Sequence, residues 1–224
     1  MKITAISDTH SLHHQLNLPG GDLLIHAGDV CNRGTQQEAV NFMEWIEKQP
    51  YTYKIFIAGN HDFFFENFTQ QEIQDRLPKG VFFLNDSGIE IEGIKIWGSP
   101  ITPTFCNLAF NRNRGIEIAK HWDKIPQDTD ILITHGPAYG ILDKTLNGLH
   151  VGCEELAQKV IALKSKFIDR VIVSTDSKKY AEISKKIGAE VPFLRDDKLS
   201  DSYTPTVPVI KDADQLNLVG MTKK

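Results

Sequence analysis

Seven side chains able to hold or shape a metal site fall at four places in the chain: Asp8 and His10 in "DTH", Asp29 in "AGDV", Asn60, His61 and Asp62 in "GNHD", and His135 in "THGP". Carboxylate, imidazole and amide oxygen together suit Mn²⁺, Fe or Zn²⁺ better than a metal that seeks thiolates. Each residue alone has an ordinary reading. An aspartate after a strand is usually a turn former or a helix cap, and a lone histidine is more often a hydrogen-bonded core or surface residue. Four such groups in order, each just past an apolar run, are hard to explain that way.

The apolar runs are "KITAISD" (Lys2–Asp8), "DLLIHAGD" (Asp22–Asp29), "KIFIAGNHD" (Lys54–Asp62) and "DILITHG" (Asp130–Gly136). Short apolar runs bounded by Gly, Asp or Asn read as buried strands, and strand ends at one sheet edge are where open α/β folds gather ligands. The segment Thr35–Gln49 places Ala39, Phe42, Met43 and Ile46 at helical spacing behind Thr35 as a cap. Gly152–Lys164 repeats Cys153, Leu156, Ala157, Val160 and Ile161 in the same way. Val81–Ser99 alternates apolar and polar residues through two turn signals, which predicts antiparallel strands. The expected fold is α/β and layered, with mixed β-sheets flanked by helices.

"DTH", "AGDV", "GNHD" and "THGP", in that order, resemble the motifs of the calcineurin-like metallophosphoesterase family. "KIFIAGNHDFFFEN", "GIKIWGSPITP" and "DILITHGPAYGILD" are similar to its small single-domain phosphodiesterase branch. The likeness runs from about Lys2 to about Leu163 and covers most of the chain. It implies hydrolysis of a phosphodiester by a hydroxide bridging two divalent cations. Asp8 and His10 would bind the first cation, Asp29 would bridge both, and Asn60 with His135 would hold the second. His61 would stabilise charge at the phosphate or protonate the leaving oxygen, with Asp62 orienting it. His26, inside its strand, reads as a buried structural histidine or a group behind the ligands. His13 and His14 lie in a loop beside Asp8. His150, in "GLHVGC", matches a position typical of this branch, where it would face substrate or support the ligands. Phe63–Phe65 reads as packing.

The family pattern ends in GHxH, which gives one histidine to each metal, and here no histidine follows His150. In its place, from about Ala162 to Ser202, "RVIVSTDS" and "KKIGAEVPFLR" resemble an internal piece of acylneuraminate cytidylyltransferases. That fragment lacks the nucleotide-gripping loop and the later metal-binding acids of those enzymes. The expected organisation is a phosphoesterase domain over residues 1–163, an atypical strand–helix segment over 164–195 and a polar tail over 196–224. Asp176 is expected to cap the helix Ser177–Ile187, or else to replace a missing histidine as an oxygen ligand. With fewer protein ligands the metals would be held more weakly.

A chain of 224 residues with 41% hydrophobic content and a net charge of −4 fits a globular protein without a broad nucleic-acid or membrane footprint. There is no apolar signal segment at the start. Cys31, Cys106 and Cys153 lack paired spacing and read as free thiols, which predicts a cytoplasmic setting. The substrate would be a small-molecule or nucleotide phosphate ester. Two other readings stay open: a binding remnant that keeps the fold with one metal or a nucleotide, and a sugar-nucleotide cytidylyltransferase, which the missing loop argues against.

Overall fold

The computed structural model describes residues 1–145, 147–162 and Glu182. The segment 164–224, with Asp176 and the expected strand, helix and tail, otherwise lies outside the described residues. By contact the chain divides into two units. The first comprises Met1–Ser11 and Gly20–Lys166. The segment Leu12–Pro19 belongs to the second and forms a 3-10 turn at His13–Gln15, where the rings of His13 and His14 stand 4.3 Å apart.

In the first unit, β1 (Ile3–Ile6), β2 (Gly21–Ala27), β3 (Tyr51–Ile57) and β4 (Val81–Phe83) form a wholly parallel sheet in that order. A second, mixed sheet has the order β5 (Ser87–Ile91), β6 (Ile94–Ser99), β9 (Ile131–Thr134), with β5–β6 antiparallel and β6–β9 parallel. A small pair, β7 (Thr102–Pro103) and β8 (Asn111–Arg112), completes the strands among the described residues. Only part of the expected antiparallel segment is a hairpin. Val81–Phe83 joins β3 in parallel instead, because Phe83 is drawn into the aromatic core of the first sheet.

Both faces of the parallel sheet are covered, so its strands read as unbroken apolar runs. Leu23 and Ile25 of β2 and Ile55 and Ile57 of β3 point to one face and pack with Ile91, Ile96 and Ile133 of the second sheet. On the other face the ring of Phe56 meets Phe42, Phe65 and Phe83 at 5.0–5.5 Å between centroids. Phe42 comes from α1 (Gln36–Glu47), which buries Ala39, Phe42, Trp45 and Ile46. Trp45 takes the core position that the spacing had given to Met43. Thr35 closes a capping box with Glu38, a motif whose loss costs about 1 kcal/mol.

Phe65 is fully buried on the single turn α2 (Phe63–Glu66), so that part of the aromatic run is packing. Two short helices the spacing does not announce are α3 (Gln70–Gln74) and α4 (Ile116–Trp122). The helix α5 (Glu154–Ala162) begins two residues later than Gly152, with Cys153 and Leu156 buried. All three cysteines are free, and among the described residues no helix is long and apolar enough to cross a membrane.

One half-buried carboxylate ties the second sheet to α4. Asp86 accepts hydrogen bonds from Ser99 at 2.7 Å and Lys124 at 3.0 Å, with the His121 ring at 2.5 Å. Burial pushes its carboxyl up, but these bonds outweigh it and hold it below the usual carboxylate range. A depressed value stabilises the fold at pH above the unfolded value, and the gain is lost as pH falls through the folded value. Asp86→Asn is therefore expected to lower neutral-pH stability by about 1–3 kcal/mol. The variant and the parent should converge on acidification below about pH 4, in thermal melts taken across that range.

Candidate metal centre

Parallel strands end at one edge, and the register keeps those ends level: Ile6 pairs with His26, and Ala27 with Ile57. The segments beyond β1, β2 and β3 therefore emerge side by side, and β9 delivers His135 one residue past Thr134. The loops after β1 and β2 are laced by backbone bonds from Asp8 to Gly28, His10 to Asp29 and Ser11 to Val30, all 2.9–3.0 Å. Asp8, His10 and Asp29 take positive φ of 53°, 42° and 55°, backbone states that non-glycine residues adopt at a free-energy cost and that cluster at functional sites.

The imidazoles of His10, His61 and His135 share one arrangement. Each Nδ1 faces a backbone carbonyl: Cys31 at 3.2 Å, Asn32 at 2.8 Å and Ala27 at 3.0 Å. A carbonyl only accepts, so Nδ1 carries the proton and Nε2 of the neutral ring carries a lone pair. That lone pair points inward. His135 Nε2 lies 2.9 Å from Asn60 Oδ1 and 3.3 Å from Asp29 Oδ1, and His10 Nε2 lies 3.7 Å from Asp29 Oδ2. In that neutral tautomer these are acceptors facing acceptors. Either a second proton on the ring or a cation satisfies such a cluster, so the donor set fits a divalent metal.

Two groups of donors lie with their ligand atoms within 4.8 Å of one another: His10, Asp29 and His61, and Asp8, Asp29 and His135. Asp29 belongs to both and is buried. The resemblance paired Asp8 with His10. The geometry sets Asp8 beside His135, and brings His61 to His10 with ring centroids 4.8 Å apart. Asn60 meets the second group through His135.

Asp62 departs from the expected role of orienting the His61 ring. Its fully buried carboxylate accepts backbone N–H bonds from Val30 at 3.1 Å, Cys31 at 2.8 Å and Gly59 at 2.7 Å. The ring of His61 is held by Asn32 instead. Asp62 thus clasps the loop after β2 to the loop after β3. Burial pushes its carboxyl up to about 6, the three N–H donors pulling the other way. Burial and the nearby carboxylates push the Cys31 thiol up as well, which leaves it unreactive.

His26 Nε2 bonds Thr9 at 2.9 Å, holding the residue between Asp8 and His10, while its ring packs on Phe42 at 5.1 Å. His13 is buried in its own turn; burial and then His14 push it down to about 4. Gly28 explains why this edge needs glycine. It has φ of 98°, and a Cβ there would stand 2.6 Å from His135 Nδ1 and 2.7 Å from the Ala58 carbonyl.

A cleft of about 580 Å³ opens onto this edge. Asp8, Asn60 and His135 line it together with Thr102, Asn111, Arg114 and His150. Arg114 is a residue the sequence motifs do not reveal. Its guanidinium bonds the carbonyls of Gly152 at 2.7 Å and Val151 at 2.9 Å, contacts between segments nearly forty positions apart.

A family model described as Calcineurin-like phosphoesterase matches residues 1–174, and one described as Cytidylyltransferase matches residues 158–215. Metallophosphoesterase domain-containing protein 1 of Homo sapiens is 38% identical over 184 residues, covering 71% of this chain and 56% of its own. A UPF0046 protein of Caenorhabditis elegans is 36% identical over 172 residues, covering 71% and 59%. The chain thus spans less than three fifths of the length of these relatives. Pseudaminic acid cytidylyltransferase of Campylobacter jejuni is 40% identical over 52 residues, covering 23% of this chain and 22% of its own. The two family matches overlap at residues 158–174, the stretch where the first resemblance gives way to the second.

Proposed function

The chain belongs to the calcineurin-like phosphoesterase family, and from that premise we propose that it hydrolyses phosphodiesters at a two-metal site organised by Asp29. The observation that supports this most is the sharing of one buried carboxylate by two donor groups whose ligand atoms lie within 4.8 Å of one another. Divalent cations held there, Mn²⁺, Fe or Zn²⁺, would supply Lewis-acid charge and bring the pKa of water from about 15.7 towards 7.

The protein's own groups have separable tasks. Asp29 presents one oxygen towards His10 and the other towards His135. Asp8, His10, Asn60 and His135 complete the donors. His61 keeps its Nδ1 on the Asn32 carbonyl and stands in the His10–Asp29 group, where its other ring nitrogen would face the metal or the phosphate. Asp62 is a positioning residue that fixes both loops through their backbone. The cleft beside the site takes a small-molecule or nucleotide ester, and three free cysteines suit a cytoplasmic setting.

Residues 151–224 hold no histidine, so among the described residues the site has fewer imidazoles than the family pattern supplies, a set that would hold metal more weakly. That deficit favours the second reading, a protein that keeps the fold and binds one metal without turnover. The cytidylyltransferase likeness spans only 22% of the pseudaminic acid enzyme and supports a shared segment rather than that reaction. The deciding experiment is hydrolysis of bis(4-nitrophenyl) phosphate by the full chain with and without Mn²⁺, beside a count of bound metal. Metal-dependent turnover with two ions per chain is expected. Folded protein with one ion or none and no turnover is the result that would install the second reading.

A further inference from the structure

We propose that His150, held by the buried carboxylate of Asp143, protonates the leaving oxygen of the ester, a role that rests on the phosphoesterase reading above and assigns to a different residue the task left open for His61. His150 lines the same cleft as Asp8, Asn60 and His135. Its Nδ1 stands 2.6 Å from Asp143 Oδ1. A carboxylate accepts, so Nδ1 carries a proton, and the other nitrogen is the one left to act. Among the described residues nothing bonds Nε2, and the side chain is 36% exposed.

Asp143 looks built for this partner. Its side chain is 1% exposed, and its second oxygen accepts the Gly152 N–H at 3.1 Å. Burial pushes its carboxyl up, but hydrogen bonds from Gly140, His150 and Gly152 outweigh it and hold it below the usual range. An ionised carboxylate behind an imidazole fixes its tautomer and stabilises the imidazolium, the logic of nucleophile–base–orienter arrangements in general. The segment that carries the histidine is braced. Arg114 bonds the carbonyls of Val151 and Gly152, and the Tyr139 ring lies 5.0 Å from the imidazole. Leu149 and Val151 flank His150, exposed by 66% and 46%, and they line the cleft too. They offer an apolar seat for the carbon body of the leaving alcohol.

In the step, the water oxygen forms its bond to phosphorus as the bond from phosphorus to the leaving oxygen breaks. The electron pair of that bond goes to the leaving oxygen, which takes the Nε2 proton of His150. The ring is left neutral with Nδ1–H still on Asp143, and the proton shed by the attacking water restores Nε2 through solvent.

Leaving groups of different basicity test this directly. Diphenyl phosphate releases a basic phenoxide that needs a proton, whereas bis(4-nitrophenyl) phosphate releases a stabilised one that does not. With the full chain in Mn²⁺, His150→Gln is expected to lower kcat on diphenyl phosphate by about 10²–10⁴-fold and on the nitrophenyl ester by under about 10-fold, with KM little moved. Asp143→Asn should show the same leaving-group dependence. Equal losses on the two esters, no loss on either, or a His150→Gln protein that no longer binds Mn²⁺ would each overturn the assignment, the last by making the residue structural. A parent protein inactive on both esters would overturn the phosphoesterase reading itself, a result distinct from the other three.

Discussion

Asp29→Asn is expected to reduce Mn²⁺-dependent phosphodiester hydrolysis by at least about 10²–10³-fold, the scale seen when one preorganised electrostatic group is lost. The substitution keeps the shape of the side chain. A carbonyl oxygen can still accept the His61 backbone N–H, which reaches Asp29 Oδ1 at 2.9 Å. What disappears is the second anionic oxygen. One of the two donor groups then meets an NH₂ where it had a carboxylate oxygen, and a donor turned towards a cation repels it. Because Asp29 is common to both groups, no other single residue among the described ones removes charge from each at once.

Stability should move the other way. Without metal, Asp29 is a buried carboxylate whose charge also pushes up the carboxyl of Asp62. Neutralising it relieves that repulsion, so the metal-free variant should melt no lower than the metal-free parent. Added Mn²⁺ should raise the melting temperature of the parent, since a ligand that binds only the folded state stabilises it, and leave the variant where it was. A variant stabilised by Mn²⁺ as strongly as the parent would show that the metal sits elsewhere.

Much of this centre is legible in the sequence because it is built on strand ends. Apolar runs of four to seven residues announce β1, β2, β3 and β9, and the residue type just past each run names the chemistry. Thr35 likewise announces the start of α1. Other features depend on contacts that spacing does not encode. Val81–Phe83 carries the alternation of a hairpin strand, but burial of Phe83 against Phe56 decides which sheet it joins. The motif "GNHD" presents His61 and Asp62 as neighbours, so a direct partnership looks natural. In three dimensions the carboxylate faces the backbone of Val30, Cys31 and Gly59 while the imidazole turns to Asn32. Arg114 lies in no quoted motif, and Asp143 only closes the stretch "DILITHGPAYGILD" without a role assigned to it. They matter because the chain beyond Asp143 folds Val151 and Gly152 back against both, and that closure is a tertiary event. The histidine in "GLHVGC" was the one visible sign of it.

Gly59→Ala should damage the centre without touching any donor atom. An added Cβ would lie 2.2 Å from Asp29 Oδ1, 2.4 Å from the Asp29 backbone nitrogen and 2.7 Å from His135 Cε1. Its φ lies outside the left-handed region, so alanine meets no backbone penalty and the effect is steric alone. The nearest atoms have little room to yield. Asp29 Oδ1 is bonded to the His61 N–H, and the Asp29 carbonyl accepts from His10. Gly59 itself is pinned, its N–H to Asp62 at 2.7 Å and its carbonyl to the Asp62 N–H at 3.1 Å. Relief therefore requires the loops after β2 and β3 to part, which pulls Asp29 away from one donor group or both. Overpacking of this kind costs about 1–3 kcal/mol of stability, and a displacement near 1 Å at a reacting centre costs about 10²-fold in rate. Mn²⁺ titration by calorimetry, with melting measured in chelator to show that the fold persists, separates the two effects. Folded Gly59→Ala protein with the metal affinity and turnover of the parent would mean that Asp29 and His135 do not need the close approach that the two loops impose on them.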